Sequence, residues 1–522
     1  MCFEAWLALI DCCCLFGFVS RLVNGRSSGL FYDAPEARQT RIADARRRRL
    51  DEHGFPRITE DQNVDIIKAF IGSVNEDAVC ALASRFNDGV PCRVVNKSHG
   101  SFNLCFFVEF DKQEGDEQPK KWVVRLPMGP AVENPWDKVI SEVTTIRYIR
   151  KKTSIRVPRI HAYGRDSNLI RKENKDKGAN NNSNDGSRIV EGQVFLITDF
   201  IAGANLDRKL LTTADQEHRR GFYAQLIGIL AELRKLEFSK IGSLRPGKTD
   251  VSPILGPMIS MSDNTLRLCP PPILTSATDY MKYEFDVVSE FFFAPVSNLK
   301  IDDLQKELYA FHALEPHFPG LINPSLDRGP FVLSHPDFRA HNIIVDEQLR
   351  IQGVIDWEFT STVPLQLFTP PSWVTGCDSK ETSEGPHAEF REVLHAQAKE
   401  NPSYRQLEIE WYGEANEAVA TPVSSGTVKT FCIAHILRKP CDAVEIFYDF
   451  LDNDEACATD EEKEARLAQF FKAHPELQAQ AQRRYEESQA YSKYLADNGL
   501  FETRMDRICH MEKEMKARFG WK

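Results

Sequence analysis

The segment of residues 334–359 runs SHPDFRAHNIIVDEQLRIQGVIDWEF. It opens with His335 and Asp337, and Asn342 follows five residues after the Asp. The apolar run Ile343–Val345 comes next, then the turn residues Asp346 and Glu347, then a second run, Gly353–Ile355, that ends on Asp356. Short apolar runs separated by turn residues read as a β-hairpin. A loop carrying Asp337 and Asn342 is thereby brought beside the end of the second strand, where Asp356 stands. Taken singly, Asp337 and Asn342 are ordinary turn residues and Asp356 an ordinary strand cap. Taken together they suit phosphoryl transfer, which needs a carboxylate facing the attacking hydroxyl and oxygen ligands holding Mg²⁺ against nucleotide phosphates. Mg²⁺ selects hard oxygen donors, which agrees with Asn and Asp rather than His or Cys.

Upstream, Val79, Leu82 and Phe86 repeat at helical spacing. The segments Cys92–Val95, Leu104–Phe110, Trp122–Leu126, Val157–Tyr163 and Val194–Thr198 read as five antiparallel strands. One helix interrupts them, with Val139, Val143, Ile146 and Ile149 on a single stripe. The polar segment Arg171–Ser187 is expected to be a disordered excursion of a hairpin. After Asp199 the pattern turns helical, with a stripe of Phe222, Leu226, Ile229, Leu230 and Leu233. Residues 245–275, rich in Pro, Gly and Ser, read as a long loop; helices return at 278–312, and 460–519 reads as long exposed helices. The expected fold class is α+β, with a small antiparallel-sheet lobe, a larger mostly helical lobe and a cleft between them. The expected divisions are an N-terminal extension over 1–74, partly disordered, an N-lobe over 75–200 with the disordered insert 171–187, a helical C-lobe over 201–450 and a C-terminal helical extension over 451–522.

The motif His335-x-Asp337-x-x-x-x-Asn342 with Asp356 in IDWE, on this framework, resembles the aminoglycoside phosphotransferase/choline kinase family, whose fold is protein-kinase-like. The tail IDWEFTSTVPLQLFTPPSW, with Trp357, Pro364 and Pro371, is similar to the fungal branch of small-molecule phosphotransferase-like proteins. The resemblance covers residues 80 to 375. It implies an ATP- and Mg²⁺-dependent kinase acting on a hydroxyl of a small molecule. It implies Asp337 as catalytic base and Asn342 and Asp356 as Mg²⁺ ligands. Arg339 stands where it would touch the transferring phosphoryl group, or else salt-bridge the loop; His335 reads as structural.

The small lobe is read against the same resemblance. Ser98–Asn103 sits between two strands like a nucleotide-covering loop, with Gly100 letting the backbone approach phosphates, Ser101 offering a hydroxyl, and Asn103 a further cofactor-binding candidate. The same residues favour a plain hairpin turn. Arg125 in WVVRLP takes the place of the kinase strand Lys, and Glu142 on the next helix its partner; Arg is a wider fork than Lys and not equivalent to it. Asp199-Phe200-Ile201 resembles the hinge, whose backbone would bind adenine.

Composition bounds the rest. A chain of 522 residues, 42% hydrophobic and 27% charged, holds two or three domains and is not mostly disordered. A net charge of -11 argues against nucleic acid as a partner. Thirteen cysteines with no Cys-x-x-Cys pair fit reduced thiols in a cytoplasmic protein. The apolar run Trp6–Val19 is too short for a stable membrane span; Cys12–Cys14 is a palmitoylation candidate, or the run is a loose or packed helix. Arg46–Arg49 reads as a targeting or lipid patch, or as a solvated helix. The acidic stretch Asp452–Glu464 reads as a linker, or as an attraction for cationic substrates. The alternative to a kinase is a nucleotide-binding module of the pseudokinase kind with little or no turnover, motivated by the single Gly and by Arg125. The absence of D-F-G and A-P-E segments argues against a protein kinase.

Overall fold

The computed structural model describes residues 36–113, 118–171, 192–379, 384–414, 423–452 and 459–519. The apolar Trp6–Val19 run with Cys12–Cys14, and nearly all of the Arg171–Ser187 excursion, lie outside the described residues. Three helices come first: α1 (Glu36–Arg49), α2 (Glu60–Ser73) and α3 (Glu76–Arg85). Strands β1 (Cys92–His99), β2 (Asn103–Phe110) and β3 (Lys121–Pro127) follow, then helix α4 (Pro135–Lys152), then β4 (Ile160–Asp166) and β5 (Gln193–Asp199). The five strands form one antiparallel sheet in the order β1-β2-β3-β5-β4.

The period-2 alternation of a strand decides what each face of this sheet does. Leu104, Phe106, Val108 and Phe110 of β2, with Trp122, Val124 and Leu126 of β3, are buried on one face, against Val79, Leu82 and Ala83 of α3. At about 1.5–3 kcal/mol per large side chain removed from water, this face is the small lobe's main source of cohesion. Val74 and the half-buried Ile67, Phe70 and Ile71 join the same core, so the chain before residue 75 supplies core as well as extension. The sequence reading misses this because a one-sided sheet needs a cover from somewhere, and α2 and α3 supply it together. The opposite face carries Val194 and Leu196 of β5 against Val139 and Val143 of α4. Arg125 pairs in register with Leu196, which puts it on the α4 side.

Beyond β5 the chain crosses through β6 (Ala204–Asn205), which pairs with Ile344 and Val345 of a later strand. Gly203 has φ +133°, and a Cβ there would lie 2.5 Å from the Val345 carbonyl oxygen, so the crossing requires glycine. Helix α5 (Gln216–Arg234) carries the Phe222, Leu226 and Leu230 stripe into the large core; strand β7 (Glu237–Phe238) follows. Residues 245–275 depart from the expected loop: β8 (Ser243–Thr249) and β9 (Ser252–Gly256) form an irregular hairpin. Its Pro246 and Gly247 mask it in the sequence, and Pro is tolerated because a two-stranded ribbon has only edge strands. Helices α6 (Ala277–Phe292) and α7 (Ile301–Leu314) come next, then strand β10 (Phe331–Ser334). The hairpin of β11 (Ile343–Val345) and β12 (Ile351–Val354) follows, and strand β13 (Ser361–Pro364) returns beside β10. Helices α8 (Glu384–Ala398), α9 (Pro402–Tyr412) and α10 (Ser425–Arg438) complete the larger lobe. The result is a two-lobed α+β fold, with the five-stranded antiparallel sheet in the smaller lobe and helices dominating the larger one. Among the described residues no helix is long and apolar enough to cross a membrane.

The tail helices α11 (Asp460–Ala473), α12 (Pro475–Asp497) and α13 (Arg504–Phe519) are less exposed than the composition suggests. Ala481, Tyr491 and Leu495 of α12 are buried, and Arg504 and Arg507 of α13 hold Asp61 and Asp65 of α2. Within the acidic stretch, Asp452 is paired with Arg466 at 2.7 Å.

The Arg46–Arg49 run is neither a free patch nor a fully solvated face. Arg46 and Arg49 both hold Glu290 of α6, which is 3% exposed, and Arg48 holds Glu133 at 2.8 Å. A buried carboxylate stripped of both cations is costly. Replacing Arg46 and Arg49 together by Ala is expected to lower unfolding free energy by about 3–5 kcal/mol in denaturant titrations, whereas Arg47→Ala, at an exposed position, should change it by under about 0.5 kcal/mol.

Candidate active site

Strand β10 ends at Ser334, and the chain then turns through Asp337 and Asn342 before entering β11. His335 locks the turn. Its Nε2 donates to the Ile355 carbonyl at 3.0 Å, and its Nδ1 accepts the Asp337 amide at 3.2 Å. That pattern requires the neutral ring, and burial holds the His335 pKa below its usual value. The ring stacks at a tilt on Trp357, itself fully buried, whose Nε1 donates to the Val354 carbonyl at 2.9 Å.

The Asp337 carboxylate receives one hydrogen bond and one ion pair. Arg339 Nε lies 2.9 Å from its Oδ2, and Asn342 Nδ2 lies 3.0 Å from the same oxygen. Asn342 Nδ2 also reaches the Asp337 carbonyl at 2.8 Å, so Oδ1 of Asn342 is the atom left for a metal. Burial pushes the Asp337 carboxyl up from its ordinary range, and the Arg339 charge pulls it part of the way back. The Ile355 amide donates to the Asn342 carbonyl at 2.9 Å, which ties the loop to the segment carrying Asp356.

Asp356 has φ +66°, in the left-handed region that a non-glycine residue adopts only where the surroundings impose it. What imposes it is a buried charge network. Arg125 Nη2 lies 2.6 Å from Asp356 Oδ1, Nη1 holds Glu142, and Glu358 Oε2 is 3.5 Å from the same guanidinium. Glu142 is only 1% exposed. Lys138, one turn before Glu142 on α4, pairs with Glu358 and donates to Asn103 Oδ1 at 2.9 Å. Asn103 Nδ2 in turn donates to Glu358 Oε2 at 2.7 Å. Asp356 would be raised by burial alone, but Arg125 and Lys138 hold it below its usual range. Glu358 is pushed up to about 7, by burial first and by Asp356 second. Two cations thus face three carboxylates, a set with room for further positive charge beside Asp356.

The small-lobe residues divide. Gly100 and Ser101 sit at the tip of the β1–β2 hairpin, closed by the Gly100 amide on the Asn103 carbonyl at 3.0 Å. Asn103 is buried in the charge network and does not face outward with them. Phe102 packs edge-on against Phe359 with ring centres 5.0 Å apart, so the tip rests on the IDWEF segment. Asp199 closes β5, where burial would raise its carboxyl but His161, 2.5 Å away, holds it below the usual range. The Ile201 side chain lies against Gly353 of β12, and its backbone N–H and C=O have no partner among the described residues. Sequence reasoning missed Lys138, Glu358 and the Phe102–Phe359 contact. Glu358 was legible as the second acid of IDWE; Lys138 was legible only as a cation at i−4 to Glu142.

Residues 106–365 match the model of the phosphotransferase enzyme family. A segment of 66 residues is 41% identical to the clavilactone A biosynthesis cluster protein Y of Ampulloclitocybe clavipes, covering 12% of this chain and 16% of that protein. The chain thus spans about a sixth of the length of this curated relative. Among solved structures, an ethanolamine kinase of Plasmodium vivax is 14% identical, with a TM-score of 0.38, over 78% of this chain and 92% of that one. A macrolide 2′-phosphotransferase of Brachybacterium faecium is 13% identical, with a TM-score of 0.36, over 75% and 97%. The ADP-bound aminoglycoside phosphotransferase APH(2'')-Ib is 14% identical, with a TM-score of 0.35, over 70% and 99%.

Proposed function

We propose that this chain, whose residues 106–365 belong to the phosphotransferase enzyme family, transfers the γ-phosphoryl group of ATP, with Mg²⁺, to a hydroxyl of a small molecule in the cytoplasm. The observation that carries the reading is the pairing of two unlike carboxylates on one tied segment. Asp337 is raised and neighbours Arg339; Asp356 is depressed and gripped by Arg125. A raised carboxylate suits a group that accepts or orients the hydroxyl proton, and a depressed one suits a ligand that must stay ionised.

Asp356 and the Oδ1 of Asn342 would hold Mg²⁺. Among the described residues no cluster of three His, Cys, Asp or Glu side chains forms a metal site, so phosphate oxygens and water would complete the shell, as Mg²⁺ allows. The bound metal would neutralise charge on the nucleotide phosphates. Arg125, oriented by Glu142, would bind those phosphates beneath the Gly100–Ser101 tip, and Ile201 would offer its backbone to adenine. Arg339 would release Asp337 and meet the transferring group.

The second reading, a nucleotide-binding module with little or no turnover, is favoured by one contact: Arg125 already occupies Asp356 Oδ1, which a strand Lys is too narrow to do while also holding Glu142. Calorimetry of ATP with and without Mg²⁺, followed by a library of hydroxyl-bearing metabolites read by mass shift, separates the outcomes. Mg²⁺-dependent ATP binding with a phosphorylated product supports the kinase. Binding with no product across the library supports the module. No ATP binding in either condition defeats both.

A further inference from the structure

Behind Ser334 and Pro336, the two residues flanking the buried His335 on the way into Asp337, lies a cavity of about 60 Å³. Met258, Phe359 and Leu437 make its apolar wall; Tyr280, Glu284 and Arg438 make its polar end. Arg438 closes helix α10 and spends one nitrogen on the protein: Nη2 donates to Thr369 Oγ1 at 2.8 Å and to the Leu367 carbonyl at 3.2 Å. Its Nε and Nη1 have no partner, and no carboxylate lies within ion-pair distance of it, among the described residues. Four other shielded guanidinium groups each have one: Arg49 has Glu290, Arg125 has Glu142, Arg234 has Glu410 and Arg484 has Glu307; Arg41, whose Nε is also buried without a hydrogen-bond partner, lies over the Tyr283 ring instead of facing a cavity.

Glu284 does not fill that role. It is 5% exposed, and burial with the neighbouring Asp263 pushes it up to about 8, so at neutral pH it is a neutral donor and acceptor shared with Tyr280. Burial lowers Arg438 to about 10, which leaves it cationic. A half-buried cation with two free donor nitrogens, apolar walls and a neutral carboxyl beside it is a receptor for one anionic group.

We propose that this cavity receives a carboxylate carried by the phosphoryl acceptor, so that the acceptor class is a hydroxylated carboxylic acid with an apolar body. The proposal rests on the phosphotransferase reading. The cavity's volume is the space open to the centre of a water-sized sphere, of which one water needs about 10–15 Å³, so the cavity takes a carboxylate and the carbon bearing it, with the rest of the molecule extending over Pro336 to the Asp337 carboxylate. Arg438 forms paired hydrogen bonds to the two carboxylate oxygens, and the Glu284 proton and Tyr280 hydroxyl line the remaining side. Polycationic acceptors are excluded by the same Arg438.

The test uses the full chain with Mg²⁺ and a non-hydrolysable ATP analogue. The probes are glycerate, 3-hydroxybutyrate and 4-hydroxyphenylacetate, each with its amide, and tyramine as the cationic counterpart of the last. The expected result is that at least one carboxylate binds ten-fold or more tighter than its amide, that tyramine binds more weakly still, and that R438M removes the preference while R438K keeps part of it. No carboxylate binding above the amides, tyramine binding as well as 4-hydroxyphenylacetate, or a preference unchanged in R438M overturns the proposal. If R438M does not fold, the wild type answers: a preferred carboxylate, but not its amide, slows modification of Arg438 by an arginine-directed dicarbonyl, read by mass spectrometry. Nucleotide binding is titrated on the same samples. Intact Mg-ATP binding without carboxylate preference defeats the pocket alone, and absent Mg-ATP binding defeats the kinase reading whatever the carboxylates do.

Discussion

Asp337→Asn is expected to leave Mg-ATP binding intact and to lower turnover by a factor on the order of 10²–10⁴, the worth of a positioned general base. The substitution keeps the size of the side chain and one acceptor oxygen for Asn342, so the loop's hydrogen bond can survive while the Arg339 ion pair is lost. What it removes is the proposed proton acceptor. That interaction is made chiefly in the transition state, so the loss falls on kcat rather than on nucleotide affinity. The sign of the pH effect follows from the raised Asp337 pKa. The base works only when ionised, so activity should rise with pH through a limb lying above the ordinary carboxylate range, and the Asn variant should lack that limb. Asp356→Ala should do the opposite, raising the dissociation constant for Mg-ATP because Asp356 sits on the charge network and not on the Asp337 loop. Calorimetry measures the nucleotide half of the contrast before any acceptor is known. Abolished Mg-ATP binding in Asp337→Asn, with Asp356→Ala unaffected, would show the roles to be misassigned.

The sheet and the loop–hairpin–Asp unit were legible because their signals are local. Alternation in LCFFVEF and WVVRL names the strands and their buried face, and His-x-Asp with Asn five residues on, followed by a hairpin, brings its parts together with few degrees of freedom. Whatever depends on distant pairing was not legible. Nothing near Arg46 and Arg49 announces that Glu290, more than 240 residues on, is their partner, so the run reads as solvent-exposed. Lys138 lies in a helix stripe beside Val139, where a buried cation is unexpected until Glu358 is known to meet it. Asn103 illustrates a subtler failure. Its neighbours suggested a phosphate loop, yet it begins β2 and points inward, because the strand's alternation places it on the side of Lys138 and Glu358. Pro246 concealed the β8–β9 ribbon because a rule that excludes proline from central strands does not apply to an edge.

Arg125→Met should cost about 3–5 kcal/mol of unfolding free energy and weaken Mg-ATP binding in the same protein, because the cation of buried Glu142 is also the guanidinium proposed to hold phosphate. Glu142 is 1% exposed and Arg125 is its cation; Lys138, though on the same helix, is committed to Glu358 and Asn103. Removing Arg125 therefore leaves a buried carboxylate with nothing to offset its desolvation, and it also takes the nearest positive charge from Asp356 and from Glu358. Arg125→Lys restores the charge but not the fork. An ammonium meets Glu142 or Asp356 but not both in the same geometry, so part of the stability and part of the affinity should return. The two effects separate in the double substitution Arg125→Met with Glu142→Leu. Replacing a whole buried ion pair by apolar side chains of similar size is often close to neutral, so denaturant titration should find most of the lost stability recovered. Mg-ATP affinity should not recover with it, since the guanidinium proposed to bind the phosphates is still absent. Nucleotide binding at wild-type strength in either Met variant would mean that Arg125 is a structural cation and that the phosphates are held elsewhere.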